Sequence, residues 1–169
     1  MRAEGGHSTK KIVSRKELAR EIEQERRSGR TVVFANGIFD LIHLGHVHYL
    51  QEASREADIL VVGVNSDASA RAVKGPARPL VPASERAEIV AALSCVDRVC
   101  IFDEPTATET LELLRPDVHC KGTDYTIETV PERDVVAGYG GRISIVGGPK
   151  ERSTRDLIHQ IVLRYGEDV

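Results

Sequence analysis

Two histidines separated by two residues stand just after an apolar, β-branched run. The run TVVFA at 31–35 predicts a strand, and His43 and His46 follow it within NGIFDLIHLGH at 36–46. If a helix begins here, both imidazoles face one side, Gly45 lets a bulky anion approach the backbone, and the helix dipole favours negative charge. The spacing predicts a site for a phosphorylated ligand. The alternative is a pair of surface or capping histidines.

The chemistry that suits such a pair is transfer of a nucleotidyl group. This reaction needs little covalent help from a protein, but it needs in-line positioning and stabilisation of charge on the α-phosphate and the departing pyrophosphate. Two imidazole donors beside a helix N-terminus supply that stabilisation. We therefore expect His43 and His46 to be catalytic.

Three cationic side chains that follow the histidine segment are further candidates. Lys74 in AVKGPARP is a second catalytic candidate because its charge suits a phosphate, although a lysine before glycine is often a solvated helix end. Arg78 lies in a proline-rich segment and Arg86 follows Ser84 and Glu85, and both are candidates for substrate binding. The structural alternative for Arg86 is a buried pair with a carboxylate.

Polar side chains also follow predicted strands. Asn65 and Asp67 come at the end of the apolar run DILVVGVN at 58–65, where an amide and a carboxylate could reach substrate hydroxyls. Asn65 could equally cap the next helix. Asp40 is a further substrate-binding candidate, with the alternative that it orients the histidine segment.

The elements that must position these residues alternate between strand and helix. Strands are predicted at 31–35, 58–65, 98–102, 117–121 and 142–147, and helices at about 14–28, 46–57, 66–73, 83–94, 106–114, 132–139 and 154–165. This series predicts an α/β fold, a Rossmann-like, doubly wound, parallel five-stranded sheet with right-handed crossovers. Ligands of such sheets bind beyond the carboxyl ends of the strands. We expect a flexible N-terminal tail over 1–13 and a single catalytic domain over 14–169.

Composition excludes several other classes of protein. Lys and Arg total 23 against 26 Asp and Glu, a net charge of −3 without the basic excess of nucleic-acid binding, and aromatic residues make up only 4%. No apolar run approaches the roughly 20 residues that span a bilayer, and MRAEGGHSTKK has no apolar signal core, so we expect a soluble, cytoplasmic protein. The three cysteines lack C-x-x-C spacing, which predicts reduced thiols and no metal site.

The segment GIFDLIHLGH resembles the signature of the cytidylyltransferase-like nucleotidyltransferase superfamily. The similarity continues through KIVSRKELA, GVNSDAS, KGPARPLVPASERAEIVAAL, CVDRV, LLRPDV, KGTDY, YGGRISIV and ST-x-x-LI. Within that superfamily the chain most resembles the adenylyltransferases of ADP-heptose synthesis, which serve the construction of bacterial surface glycans. The resemblance implies transfer of AMP from ATP to D-glycero-D-manno-heptose 1-phosphate with release of pyrophosphate, without a covalent enzyme intermediate. Mg²⁺ would arrive with ATP and remain largely hydrated.

The resemblance also assigns nucleotide contacts. The backbone of the first motif, the K-G-x-D-Y segment and the S-T motif at a second helix N-terminus would hold the nucleotide and its phosphates. The residues concerned are Gly37, Ile38, Phe39, Gly45, Lys121, Gly122, Asp124, Arg152, Ser153 and Thr154. Thr123 stands where the heptose enzymes usually have glycine, and Arg155 replaces the usual third hydroxyl. The alternatives are a structural turn at KGTDY and an ordinary N-cap at Ser153.

Other functions remain open from the sequence. The same machinery could use CTP and an alcohol phosphate such as glycerol 3-phosphate, or the fold could serve a non-catalytic nucleotide-binding protein. The expected partners are ATP and a phosphorylated small molecule, with neither nucleic acid nor membrane. Related proteins often form dimers, so the resemblance also allows a homodimer.

Overall fold

The computed structural model of the protein describes residues 8–148 and 153–166. Its described residues form one five-stranded sheet in the order β3-β2-β1-β4-β5, with every neighbouring pair parallel. The strands are β1 (Val32–Gly37), β2 (Ile59–Asn65), β3 (Arg98–Phe102), β4 (Val118–Gly122) and β5 (Arg142–Val146). All seven residues of β2 are buried, as the continuous apolar run requires of a strand covered on both faces. The predicted Rossmann-like α/β fold is confirmed.

The helices fall close to their predicted positions. They are α1 (Arg15–Arg27), α2 (Leu44–Ala53), α3 (Asp67–Lys74), α4 (Ala83–Ala91), α5 (Thr108–Leu114), α6 (Arg133–Gly138) and α7 (Thr154–Tyr165), with short 3-10 turns at Thr9–Lys11 and Ile127–Thr129. Ser14 caps α1 as predicted, because its side chain accepts from the Glu17 amide at 3.2 Å. None of the described helices has the length and apolar character needed to cross a bilayer.

Helices cover both faces of the sheet. Leu50 of α2 and Val90 of α4 pack on one face, and Leu18 of α1 and Leu111 of α5 pack on the other. In the middle of the sheet a side chain on Gly63 would place its Cβ 2.5 Å from the Phe34 ring, so the sequence needs glycine there to accommodate that ring. The strands are thereby held in a fixed register beneath the loops.

The chain reverses its direction of travel across the sheet between β1 and β4. It runs outward from β1 through β2 to β3, then returns to place β4 on the other side of β1. The carboxyl ends of β1 and β4 therefore border the switch point, where open α/β sheets bind their ligands. The histidine segment follows β1 and the KGTDY segment follows β4, so the fold brings both to this point.

The predicted flexible tail over 1–13 is corrected at residues 8–13. The Val13 amide donates to the Val99 carbonyl at 3.0 Å, and Ile12 forms a parallel bridge with Val99. The Lys11 ammonium donates to the Val96 carbonyl at 2.7 Å. This segment therefore lies along the β3 edge of the sheet, where strand-like pairing gives its backbone a partner that sequence periodicity does not reveal.

Candidate functional site

The two histidines occupy the first turn of α2. The predicted helix at 46–57 begins earlier, at Leu44, with His43 as its N-cap in an extended conformation. The His43 amide donates to Nδ1 of His46 at 3.4 Å, and the two ring centroids are 3.9 Å apart. Since Nδ1 of His46 accepts, a neutral His46 holds its proton on Nε2, the tautomer needed to donate to a phosphate oxygen. The structure thus brings together two of the three residues assigned to catalysis, His43 and His46.

The turn between β1 and α2 is supported by Phe39. This residue has a φ of +51°, and its ring contacts His46 edge-on at a centroid distance of 5.3 Å. A Cβ on Gly37 would lie 3.1 Å from the same ring. Only 3% of Phe39 is exposed, and its predicted contact with a nucleotide stays a prediction. Gly45 lies in the first turn of α2, beside both histidines.

Asp40 is a brace that links two loops in this structure, and its assignment to substrate binding stays a prediction. Its buried carboxylate accepts from Arg78 Nε at 2.6 Å, the Leu80 amide at 2.9 Å and the Val81 amide at 2.9 Å. Burial raises the pKa of Asp40, but the two amides and the Arg78 guanidinium outweigh burial and hold that pKa below its usual value. The alternative that Asp40 orients the histidine segment describes this geometry. Arg78 is engaged by the same contact, because its Nε donates to the Asp40 carboxylate.

Arg86 is also held by protein groups, and its assignment to substrate binding stays a prediction. It is fully buried, and its three guanidinium nitrogens donate to the Val81 carbonyl, the Ile38 carbonyl and the Asp67 carboxylate. The bond to Asp67 measures 2.8 Å. The structural alternative, a buried arginine paired with a carboxylate, is the arrangement observed. Arg86 therefore ties the β1 loop to the start of α3.

Two further predicted site residues lie at the two ends of α3: Asn65 just before it and Lys74 at its last position. Asn65 ends β2 and donates to the Ser69 hydroxyl at 2.8 Å, whereas the neighbouring Ser66 caps α3. Capping by Asn65 is therefore wrong, because the strand continues through that residue. Lys74 is the exposed last residue of α3, at the helix end that its structural alternative described. Its predicted contact with a phosphate stays a prediction.

The end of β4 carries a buried ammonium group. Lys121 is 7% exposed, with Nζ 3.2 Å from Asn36 Oδ1 and 3.3 Å from Glu132 Oε2. Gly122 ends β4, and its carbonyl accepts from the Tyr125 amide at 3.1 Å, which closes a turn that leaves Asp124 exposed. Lys121 in this state is held by protein groups, so a nucleotide contact would require it to exchange a partner.

Thr123, the departure from the family pattern, links two loops. Its hydroxyl donates to the Gly148 carbonyl at 3.2 Å, which joins the turn after β4 to the segment after β5. A glycine could not make this contact, because it has no side chain. Arg152 lies outside the described residues.

The start of α7 has an intact capping box. The Ser153 hydroxyl accepts from the Asp156 amide at 3.2 Å, and the Asp156 carboxylate accepts from the Ser153 amide at 2.7 Å. The ordinary N-cap alternative is therefore observed, and a phosphate bound here would replace Asp156 at the Ser153 amide. Thr154 donates to the Leu41 carbonyl at 3.4 Å, so α7 starts beside the histidine loop.

Sequence reasoning missed three groups that meet Lys121. Asn36 and His119 lie on the same side of neighbouring parallel strands, and their period-two spacing with Phe34 and Lys121 could have revealed this. No local sequence pattern pointed to Glu132, because it lies 11 residues beyond Lys121 in the sequence. Its carboxylate is 3.7 Å from His119 Nε2 as well as 3.3 Å from Lys121 Nζ.

Protein carboxylates do not form a metal cage at this site. Asp40 and Asp67 pair with Arg78 and Arg86, and the part of the chain that the structure describes holds no group of three His, Cys, Asp or Glu side chains suited to a metal ion. That magnesium would enter on the phosphates of a nucleotide stays a prediction.

Comparison with known proteins finds a matching family and similar proteins. The model of the family described as Cytidylyltransferase-like matches residues 34–149. The chain is 54% identical over 155 residues to Bifunctional protein HldE of Syntrophotalea carbinolica, covering 92% of this chain and 32% of that protein. It is 50% identical over 161 residues to Bifunctional protein HldE of Geobacter metallireducens, covering 95% of this chain and 33% of that protein. The chain therefore spans about a third of the length of these curated relatives.

A solved structure shares the same architecture. The lipopolysaccharide core biosynthesis protein from Thermoplasma volcanium superposes with a TM-score of 0.60 at 32% sequence identity, covering 70% of this chain and 95% of that chain. The matched family segment includes the histidine pair, the Asp40 brace, Arg86 and the Lys121 cluster. The family model matches more than half of the sequence, and the chain therefore belongs to the cytidylyltransferase-like family.

Proposed function

We propose that this chain is a nucleotidyltransferase that transfers AMP from Mg-ATP to a sugar 1-phosphate and releases pyrophosphate. The observation that carries the proposal is the paired His43 and His46 at the N-terminus of α2, beside the switch point of a cytidylyltransferase-like fold. D-glycero-β-D-manno-heptose 1-phosphate is the first acceptor to test. Its support is the motif resemblance together with 54% identity to a Bifunctional protein HldE and likeness to a lipopolysaccharide core biosynthesis protein.

In this reaction a phosphate oxygen of the acceptor attacks the α-phosphorus of ATP. The new bond joins that oxygen to the α-phosphorus, and the bond from the α-phosphorus to the bridging oxygen breaks, so pyrophosphate leaves with the electron pair. Donors aimed at the developing charge lower the barrier, and loss of one such donor typically costs about 10²–10³ in kcat. We assign this role to His46, because its Nδ1 accepts from the His43 amide and a neutral ring would then donate through Nε2.

His43 and the N-terminus of α2 also favour the negative charge of the phosphates. His43 stacks against His46 and begins α2, whose first-turn amides and dipole favour an anion. Asp40 and Arg86 do not contact the reacting atoms in this proposal. They fix the loop before α2, through the contact of Asp40 with Arg78 and of Arg86 with the Ile38 carbonyl, so that the imidazoles are oriented before the substrate arrives.

The deciding experiment measures pyrophosphate release with Mg²⁺. ATP and CTP are each paired with heptose 1-phosphate, other sugar 1-phosphates and glycerol 3-phosphate. Release with ATP and a sugar 1-phosphate supports the proposal. The family description favours a second candidate, transfer of CMP from CTP to an alcohol phosphate, and release with that pair would replace the first. Nucleotide binding without release from any pair would indicate a non-catalytic nucleotide-binding protein.

A further inference from the structure

Lys121 spans the gap between the two strands that border the switch point. It is the penultimate residue of β4, and its ammonium donates to the Asn36 side chain on β1 at 3.2 Å. The same nitrogen is 5.2 Å from the centroid of the Tyr125 ring, within the range of a cation–π contact. One buried charge thus contacts the end of β1 and the loop that leaves β4.

Glu132 supplies the opposing charge from beyond that loop. It stands at the N-cap position of α6, is 1% exposed, and holds Lys121 with Oε2 while Oε1 accepts from the Ala107 amide at 3.1 Å. His119 lies on the other side of the carboxylate, at 3.7 Å. Burial lowers the pKa of His119, which favours its neutral ring, and burial also lowers the pKa of Lys121 while the Glu132 carboxylate beside it opposes that shift. The shorter contact of the carboxylate is with Lys121, at 3.3 Å.

Stability alone is a poor reason for this arrangement. A buried ion pair usually contributes no more to folding than apolar residues of the same volume, because both charges lose their hydration. At the amino end of the same sheet, the ion pair between Arg98 and Glu21 is partly exposed to solvent, with 39% and 35% of the two side chains exposed. The fully buried pair lies instead at the end of the sheet where the ligand is expected.

We propose that Glu132 is a positioning residue for the nucleotide site, because its buried carboxylate fixes the Lys121 ammonium at the switch point and thereby the course of the loop at 122–125. This inference rests on the proposed function for the identity of the ligand, Mg-ATP. The loop contains Asp124, one of the predicted nucleotide contacts, and its turn is closed by the Tyr125 amide. Glu132 therefore acts on the nucleotide through Lys121 and the loop.

The test compares Glu132→Gln, Lys121→Met and the double variant. Glu132→Gln retains an oxygen for the Ala107 amide but leaves Lys121 without a counter-charge, so both the melting temperature and the affinity for Mg-ATP should fall. In the double variant the unpaired charge is gone, and the melting temperature should return close to that of the original protein. The Kd for Mg-ATP, measured by calorimetry, should remain raised by about tenfold, because the loop has lost its anchor.

A double variant that recovers both its melting temperature and its Kd would overturn the inference, because a purely structural pair needs only neutralisation. The matched control is Arg98→Met with Glu21→Gln, a pair at the amino end of the sheet, whose Kd should equal that of the original protein. Binding does not depend on turnover. A raised Kd in a chain that releases no pyrophosphate would therefore reject the proposed function and support Glu132, and failure of Mg-ATP to bind the original protein would reject both.

Discussion

The brace at Asp40 gives the sharpest prediction about stability. Asp40→Asn keeps the size of the side chain but replaces one accepting oxygen with an NH₂ group, while Arg78 Nε and the amides of Leu80 and Val81 all still need an acceptor. At least one buried donor is left unpaired, at a cost of about 1–3 kcal/mol, and the bond to Arg78 loses its charge assistance. We expect a total loss of about 3 kcal/mol in the free energy of unfolding.

For a chain of 169 residues, 1 kcal/mol corresponds to roughly 2–4 °C in Tm, so Asp40→Asn should lower Tm by about 6–12 °C at pH 7. The assay is thermal unfolding followed by circular dichroism. Asp134→Asn is the control, because that carboxylate is paired with Arg133 but 91% exposed, and its Tm should not change. A Tm for Asp40→Asn within 2 °C of the original protein would show that the three contacts do not hold the loop.

The same prediction has a definite pH dependence. The folded pKa of Asp40 lies below the unfolded value of 3.8, so its ionised form stabilises the fold above that value. This contribution is lost as pH falls through the folded pKa. The difference in stability between the original protein and Asp40→Asn should therefore be largest at neutral pH and shrink below pH 4. A difference that grows on acidification would mean that another group carries the effect.

Three further changes test other parts of the structure. His46→Ala should lower kcat by about 10²–10³ with little change in the Kd for ATP, measured by pyrophosphate release and calorimetry, and unchanged turnover would remove His46 from the mechanism. Gly63→Ala should lower the free energy of unfolding by about 1–3 kcal/mol in urea titrations, because its Cβ would lie 2.5 Å from the Phe34 ring, and an unaltered midpoint would show that the ring yields freely. Ser153→Ala should weaken the start of α7 by about 1 kcal/mol, which faster amide exchange in its first turn would report. The Tm of the protein should stay nearly constant, because α7 has no buried residues. A fall in Tm of several degrees would show that α7 contributes more to stability than its exposure indicates.

Local chemistry made most of the fold predictable. The nearly continuous apolar run at 58–65 is typical of a strand covered on both faces, and its residues 59–65 are buried throughout as β2. Ser14 and Glu17 located the start of α1 because a cap involves residues close in sequence. The same rule explains the error at Asn65, because two adjacent residues could each cap α3 and the length of the preceding strand decided for Ser66.

The site was predictable where its residues are close in sequence and unpredictable where they are not. His43 and His46 share a helical turn, so their spacing was enough to bring them together. The partners of Asp40 lie 38 to 41 residues away, and Arg86 reaches back 48 residues to Ile38. Such contacts depend on how two loops cross over the sheet, which no local pattern reports.

The two ends of the sheet use acidic side chains in different ways. At the amino end, Asp97 accepts from the Leu60 amide, the second of β2, and Asp117 accepts from the Val32 amide, the first of β1, each at 2.8 Å, so both carboxylates contact the start of a strand. At the carboxyl end, Asp40 and Glu132 are buried and paired with cations, which requires both charges to lose their hydration. A fold that needed only stability could fill those positions with apolar residues. Buried, paired charges are therefore concentrated where loops must be held in one geometry, at the end of the sheet that carries the paired histidines.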